Sequence, residues 1–95
     1  MPRFDGKVAV ITGAGQGHGR AVAKRLAQEG AALLLADIIE ETVQGVTEQI
    51  NRDGGSAEFA VADLTDYGQA EKVIAKAISS YSQVDILCNV AGIGP

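Results

Sequence analysis

Four short apolar runs, each separated from the next by a stretch long enough for a helix, limit what this chain can fold into. They are "KVAVIT" (Lys7 to Thr12), "AALLLAD" (Ala31 to Asp37), "AEFAVAD" (Ala57 to Asp63) and "VDILCNVAG" (Val84 to Gly92). Continuous runs of this kind suit strands buried on both faces. Between them, apolar residues recur at helical spacing. Val22, Ala23, Leu26 and Ala27 form one stripe, closed by Gly30 as a glycine just past a helix end. Val43, Val46 and Ile50 form a second stripe from Glu40 onward, weakened by Gly45 and followed by a turn at Asn51 to Ser56. Ala70, Val73, Ile74, Ala77, Ile78 and Tyr81 form the third, with Thr65 or Asp66 placed to cap it. Strands joined by helix-length crossovers predict an α/β fold with a parallel sheet and right-handed connections. The length suits a single domain over residues 1–95.

Composition removes several function classes. Acidic residues outnumber basic ones 12 to 8, for a formal charge of −4, which argues against a nucleic-acid surface. Aromatic residues are scarce, so the core must be built from Ala, Val, Ile and Leu. A single cysteine, Cys88, rules out an internal disulfide and fits a reducing compartment; its apolar strand setting predicts a buried, inert thiol. No apolar run approaches the roughly 18 residues of a membrane span, and the opening "MPRFDGK" lacks the pattern of a secretory signal. The expectation is a soluble, cytoplasmic chain without a membrane partner.

The chemistry concentrates in "TGAGQGHG", Thr12 to Gly19, between the first strand and the first helix. A helix start offers unpaired N–H groups and a positive dipole end to an anion, and glycines let a pyrophosphate approach the backbone. The pattern GxGxxG fails, because His18 or Arg20 falls where the third glycine belongs. The P-loop pattern fails for want of Gly-Lys-Ser/Thr. TGxxxGxG fits, on Thr12, Gly13, Gly17 and Gly19. The bland alternative is a glycine-rich turn without a ligand. Asp37 ends the second run, where a carboxylate accepts hydrogen bonds from adenosine ribose hydroxyls and repels a 2′-phosphate. Neither Gln16 nor Ile38 supplies a cation to offset that repulsion, so the cofactor expected is NAD and not NADP. Asp63 could accept from an adenine amino group, with the Leu64 backbone beside it; a plain strand-to-helix cap is an equally good reading.

The glycine motif, the Asp37 strand end, "DLT" and "CNVAG", in this order, resemble the short-chain dehydrogenase/reductase family over essentially the whole chain. The resemblance implies a Rossmann-like three-layer α/β/α arrangement with strand order 3-2-1-4, incomplete relative to the family. It implies that Gly13, Gln16, Gly17, His18, Gly19, Asp37, Ile38, Asp63, Leu64, Asn89, Ala91 and Gly92 serve the cofactor. Two departures are visible: Val90 stands where the family usually has a second Asn, and His18 where it usually has Ile. The imidazole either contacts the phosphate or substrate side or simply fills an isoleucine's place. His18 has no Cys or His partner in sequence, so no metal site is expected.

The family's catalytic Ser and Tyr-x-x-x-Lys lie further along much longer chains. Here Tyr67 is followed four positions on by Glu71, and Tyr81 by Asp85, so no catalytic residue is assigned within the 95. The resemblance therefore implies the NAD-binding portion of an oxidoreductase that moves hydride between NAD(H) and an alcohol or carbonyl substrate, inactive by itself. A non-catalytic nucleotide-binding module that dimerises is the alternative, and an S-adenosylmethionine site a weaker one. A buried-type fourth strand left at a sheet edge predicts self-association.

Overall fold

The computed structural model describes residues 3–15 and 17–89. Four strands and three helices alternate: β1 (Val8–Thr12), α1 (Gly17–Gln28), β2 (Ala32–Asp37), α2 (Glu40–Arg52), β3 (Ser56–Val61), α3 (Tyr67–Tyr81) and β4 (Ile86–Asn89). The sheet order is β3-β2-β1-β4, and every neighbouring pair is parallel. At its centre Val10 of β1 lies beside Leu34 of β2 and Leu87 of β4.

The apolar runs of β1 and β2 divide by alternation between two cores. Ala9, Ile11, Leu33 and Leu35 pack under Ala23 of α1 and Val43, Val46 and Ile50 of α2. Val10, Leu34 and Ala36 pack on the other face, under Val73 and Ala77 of α3. This is the expected three-layer arrangement, and it explains the absence of polar alternation: neither face of β1 or β2 meets water. Ile11, Leu33, Leu34 and Leu35 are completely buried, each contributing about 1.5–3 kcal/mol of transfer free energy.

Local boundaries shift in informative ways. The second helix continues through Asn51 and Arg52, which the glycine-rich stretch had placed in a turn. Its start has no side-chain cap, but Glu40 and Glu41 sit in the first turn, where the helix dipole favours them. The third helix is capped by Asp66, whose carboxylate accepts from the Gln69 N–H at 3.2 Å. The third strand stops at Val61, so Asp63 lies in the turn beyond it. The fourth strand starts at Ile86, two residues into its apolar run, and Asp85 extends it. The Asp85 N–H donates to the Val8 carbonyl at 2.9 Å, and its carboxylate accepts from the Val8 N–H at 2.8 Å. Cys88 is only half-buried, because β4 is an edge strand.

Candidate functional site

The carboxyl ends of the strands carry the site. In the glycine turn, the Ala14 N–H donates to the Ala36 carbonyl at 3.2 Å, and the Gly15 N–H donates to Asp37 Oδ2 at 2.9 Å. The turn is thus sewn to the end of β2. At Gly19 the helix start presses on the turn it came from. A Cβ there would overlap the Gly13 carbonyl oxygen and lie 2.7 Å from the Gly13 carbonyl carbon and 2.9 Å from Ala14 Cα. Backbone cannot yield as a side chain can, so position 19 admits no side chain. Gly17 and His18 are exposed at the first turn of α1, and the space beside Gly17 is open. The first N–H groups of any helix lack intrahelical acceptors, so this is where the fold presents donors to an anion.

Asp37 is 9% exposed, yet it lines the cleft. Oδ1 accepts from the Ile38 N–H at 2.7 Å, while Oδ2 serves Gly15. Asp63 is more open. Its carboxylate accepts from the Thr65 hydroxyl at 2.6 Å and the Thr65 N–H at 3.0 Å. These two bonds, the hydroxyl first, hold its pKa below the ordinary 3.8. Asp63 therefore pins a turn, and the helix cap belongs to Asp66. At the end of β4, the Asn89 side-chain oxygen accepts from the Thr12 hydroxyl at 2.8 Å.

Gly13, Asp37, Ile38, Asp63, Leu64 and Asn89 come together, with Ala62 and Thr65, around one cleft of ≈ 400 Å³. Gly17, His18 and Gly19 form the adjoining helix start. Gln16, Ala91 and Gly92 lie outside the described residues. The cleft sits outside the carboxyl ends of the strands, where open α/β sheets bind ligands. Among the described residues it is lined by two carboxylates and no Lys or Arg. A groove of ≈ 360 Å³ between α1 and α2, lined by Lys24 and Asp53 among others, lies away from those ends and gathers no comparable set of groups. Among the described residues, no group of three or more His, Cys, Asp or Glu side chains could hold a metal ion, and no helix is long and apolar enough to cross a membrane.

Sequence reasoning passed over Gly15, Thr12 as a partner of Asn89, and Gln69, whose side-chain oxygen accepts from the Asp63 N–H at 2.7 Å. The Asp66-x-x-Gln69 spacing is a capping-box signature, but the Gln69 oxygen serves the Asp63 N–H while the Asp66 N–H donates to the Asp63 carbonyl at 3.1 Å. Gly15 has no local signal, because its partners lie across the sheet.

Residues 7–95 match the protein family described as short chain dehydrogenase. The 1,6-dihydroxycyclohexa-2,4-diene-1-carboxylate dehydrogenase of Acinetobacter baylyi is 44% identical over 90 residues, covering 95% of this chain and 34% of the relative. The hydroxysteroid dehydrogenase of Escherichia coli superposes with a TM-score of 0.93 at 38% identity, over 98% of this chain and 40% of that one. A short chain dehydrogenase/reductase from Burkholderia phymatum, solved in complex with NAD, superposes with a TM-score of 0.87 at 36% identity, over 92% of this chain and 31% of that one. The chain spans about a third of the length of the curated relatives it matches.

Proposed function

The chain belongs to the short chain dehydrogenase family, and from that premise we propose that it forms the NAD-binding portion of an oxidoreductase. The whole protein would transfer hydride between NAD(H) and an alcohol or carbonyl substrate. The observation that carries the NAD reading is Asp37: a carboxylate at the end of β2, on a cleft to which the described residues bring no cation. The Burkholderia relative's complex with NAD and the Acinetobacter relative's action on a dihydroxylated ring support the cofactor and substrate class.

Bound NAD supplies the hydride acceptor; the protein supplies position. Asp37 takes the ribose hydroxyls and disfavours a 2′-phosphate. Ile38, 61% exposed, and Leu64 offer apolar surface to the base, and Asp63 its remaining acceptor capacity. Gly13, Gln16, Gly17, His18 and Gly19 receive the pyrophosphate at the start of α1. Asn89, Ala91 and Gly92 line the cofactor beyond β4. The His18 side chain replaces an isoleucine and leaves the backbone role intact. No Tyr-x-x-x-Lys occurs among the 95 residues, so the chain by itself binds without turnover, in the reducing, cytoplasmic setting its composition fits. The exposed edge of β4 lets copies of the chain associate.

Calorimetric titration with NAD, NADP and S-adenosylmethionine tests this. The expected result is NAD binding at least about tenfold tighter than NADP, since an added phosphate would face an uncompensated carboxylate. Preference for NADP would refute the role given to Asp37. Preference for S-adenosylmethionine would replace the dehydrogenase reading with a methyltransferase one.

A further inference from the structure

We infer that Asp37 is also the positioning residue of the glycine turn: its carboxylate holds the Gly15 N–H, so that the turn stands open to an anion before any nucleotide arrives. The inference takes its ligand from the reading above, but its geometry stands alone. Two successive N–H groups of the turn, on Ala14 and Gly15, are spent on the end of β2, the first on a carbonyl and the second on Asp37 Oδ2. Both residues are buried, so neither N–H could turn to water if its acceptor were removed. The carboxylate is itself fixed, because Oδ1 accepts from the Ile38 N–H at 2.7 Å and the Ile39 N–H at 3.4 Å.

Thr42 of α2 closes on Gly15 as well. A Cβ at Gly15 would overlap Thr42 Oγ1 and lie 3.0 Å from Thr42 Cβ and 2.9 Å from Asp37 Oδ2. Thr42 is held in place by donating its hydroxyl to the Ile39 carbonyl at 3.0 Å. The turn, the end of β2 and the start of α2 thus close on one N–H group. With Ala14 and Gly15 committed inward, the described residues offer their donors to an anion at the start of α1. Nucleotide specificity then has a second consequence. Replacing Asp37 to admit a 2′-phosphate also releases the turn that must hold the pyrophosphate.

The test separates positioning from charge by the sign of the effect. Inorganic pyrophosphate carries no ribose, so it does not need Asp37 as a ligand. If Asp37 acted by charge alone, Asp37→Ala would remove a repulsion and tighten pyrophosphate binding. Positioning predicts the reverse, a loss of about tenfold, in line with a broken hydrogen bond to a charged acceptor. Asp53→Ala, which removes a carboxylate from the groove between α1 and α2, away from the strand ends, should leave pyrophosphate affinity unchanged. Tighter or unchanged binding in Asp37→Ala overturns the inference, as does failure of the unsubstituted chain to bind pyrophosphate.

A second measurement needs no variant. Amide hydrogen exchange in the nucleotide-free chain should show Gly15 slowed at least about tenfold relative to an unstructured glycine. Exchange at the unstructured rate overturns the inference even if NAD binds. Conversely, a protected Gly15 in a chain that binds pyrophosphate but not NAD upholds the positioning role and refutes the dinucleotide reading.

Discussion

At one edge of the sheet, β3 turns its outward polar groups toward side chains of its own fold. The Ala57 N–H donates to the Asn51 side-chain oxygen at 2.8 Å, and the Ala57 carbonyl accepts from the Asn51 amide nitrogen at 3.0 Å. One residue pair on, the Phe59 carbonyl accepts from the Lys76 ammonium. At the opposite edge, β4 has no such cover among the described residues, and Leu87 is 60% exposed beside a small apolar groove lined by Val73 and Ile74. The side-chain amide of Asn51 imitates the peptide group of an absent neighbouring strand, so β3 is finished as an edge. On the proposed reading, the β4 edge is where copies of the chain would pair. The difference teaches that an edge is defined by what answers its N–H and C=O groups, and not by its place in the strand order.

Breaking the β3 closure should have the largest effect. Asn51→Ala leaves both polar groups of the buried Ala57 without partners, at a cost of about 2–3 kcal/mol in urea unfolding, and should add a second route of association visible by light scattering. Unchanged stability would mean that water replaces the amide and that the closure is incidental. Next, Leu87→Lys should weaken self-association about tenfold in sedimentation equilibrium, while shifting unfolding by only about 0.5 kcal/mol, because it places a charge on the open edge without emptying the core. A chain that is monomeric without any substitution would show that the β4 edge does not pair with itself.

Acid should act first where β4 joins β1, ahead of β2. The Asp85 carboxylate is held below the ordinary 3.8, chiefly by the Val8 N–H and then by the Gln83 amide. A folded-state pKa below the unfolded one adds stability above pH 3.8, which is lost as pH falls through the lower, folded value. Below pH 3.8, hydrogen exchange at Val8 should rise ahead of exchange in β2, and Asp85→Asn should flatten that dependence. The smallest effect is expected at Lys76. Lys76→Ala removes an exposed contact worth about 0.5 kcal/mol and should promote association only in combination with Asn51→Ala.

The covered, parallel sheet was legible because β1 and β2 carry apolar residues on both faces, while its strand order followed from the family resemblance. Asp37 and Asp63 were legible as acids at or just past strand ends, and Asn89 through the family resemblance. What escaped was tertiary. Asn51 reads as a turn residue until Ala57 is seen beside it. Gly15 reads as a spacer until Asp37 and Thr42 are seen to close around it. Cys88 reads as buried until β4 is recognised as an edge. In each case the deciding partner belongs to another element, and a local pattern carries no trace of it.

The pairing of β4 with β1 also has a cost in time. The two residues that lock it, Val8 and Asp85, are separated by 77 positions, and a parallel pair cannot form as a local hairpin. At a synthesis rate of about 5–20 residues per second, β1 leaves the ribosome roughly 4–15 s ahead of the strand that completes it. During that interval the nascent β1–β2–β3 unit exposes the flank of its most buried strand. Chaperone capture of nascent chains should therefore fall sharply once Ile86–Asn89 has emerged.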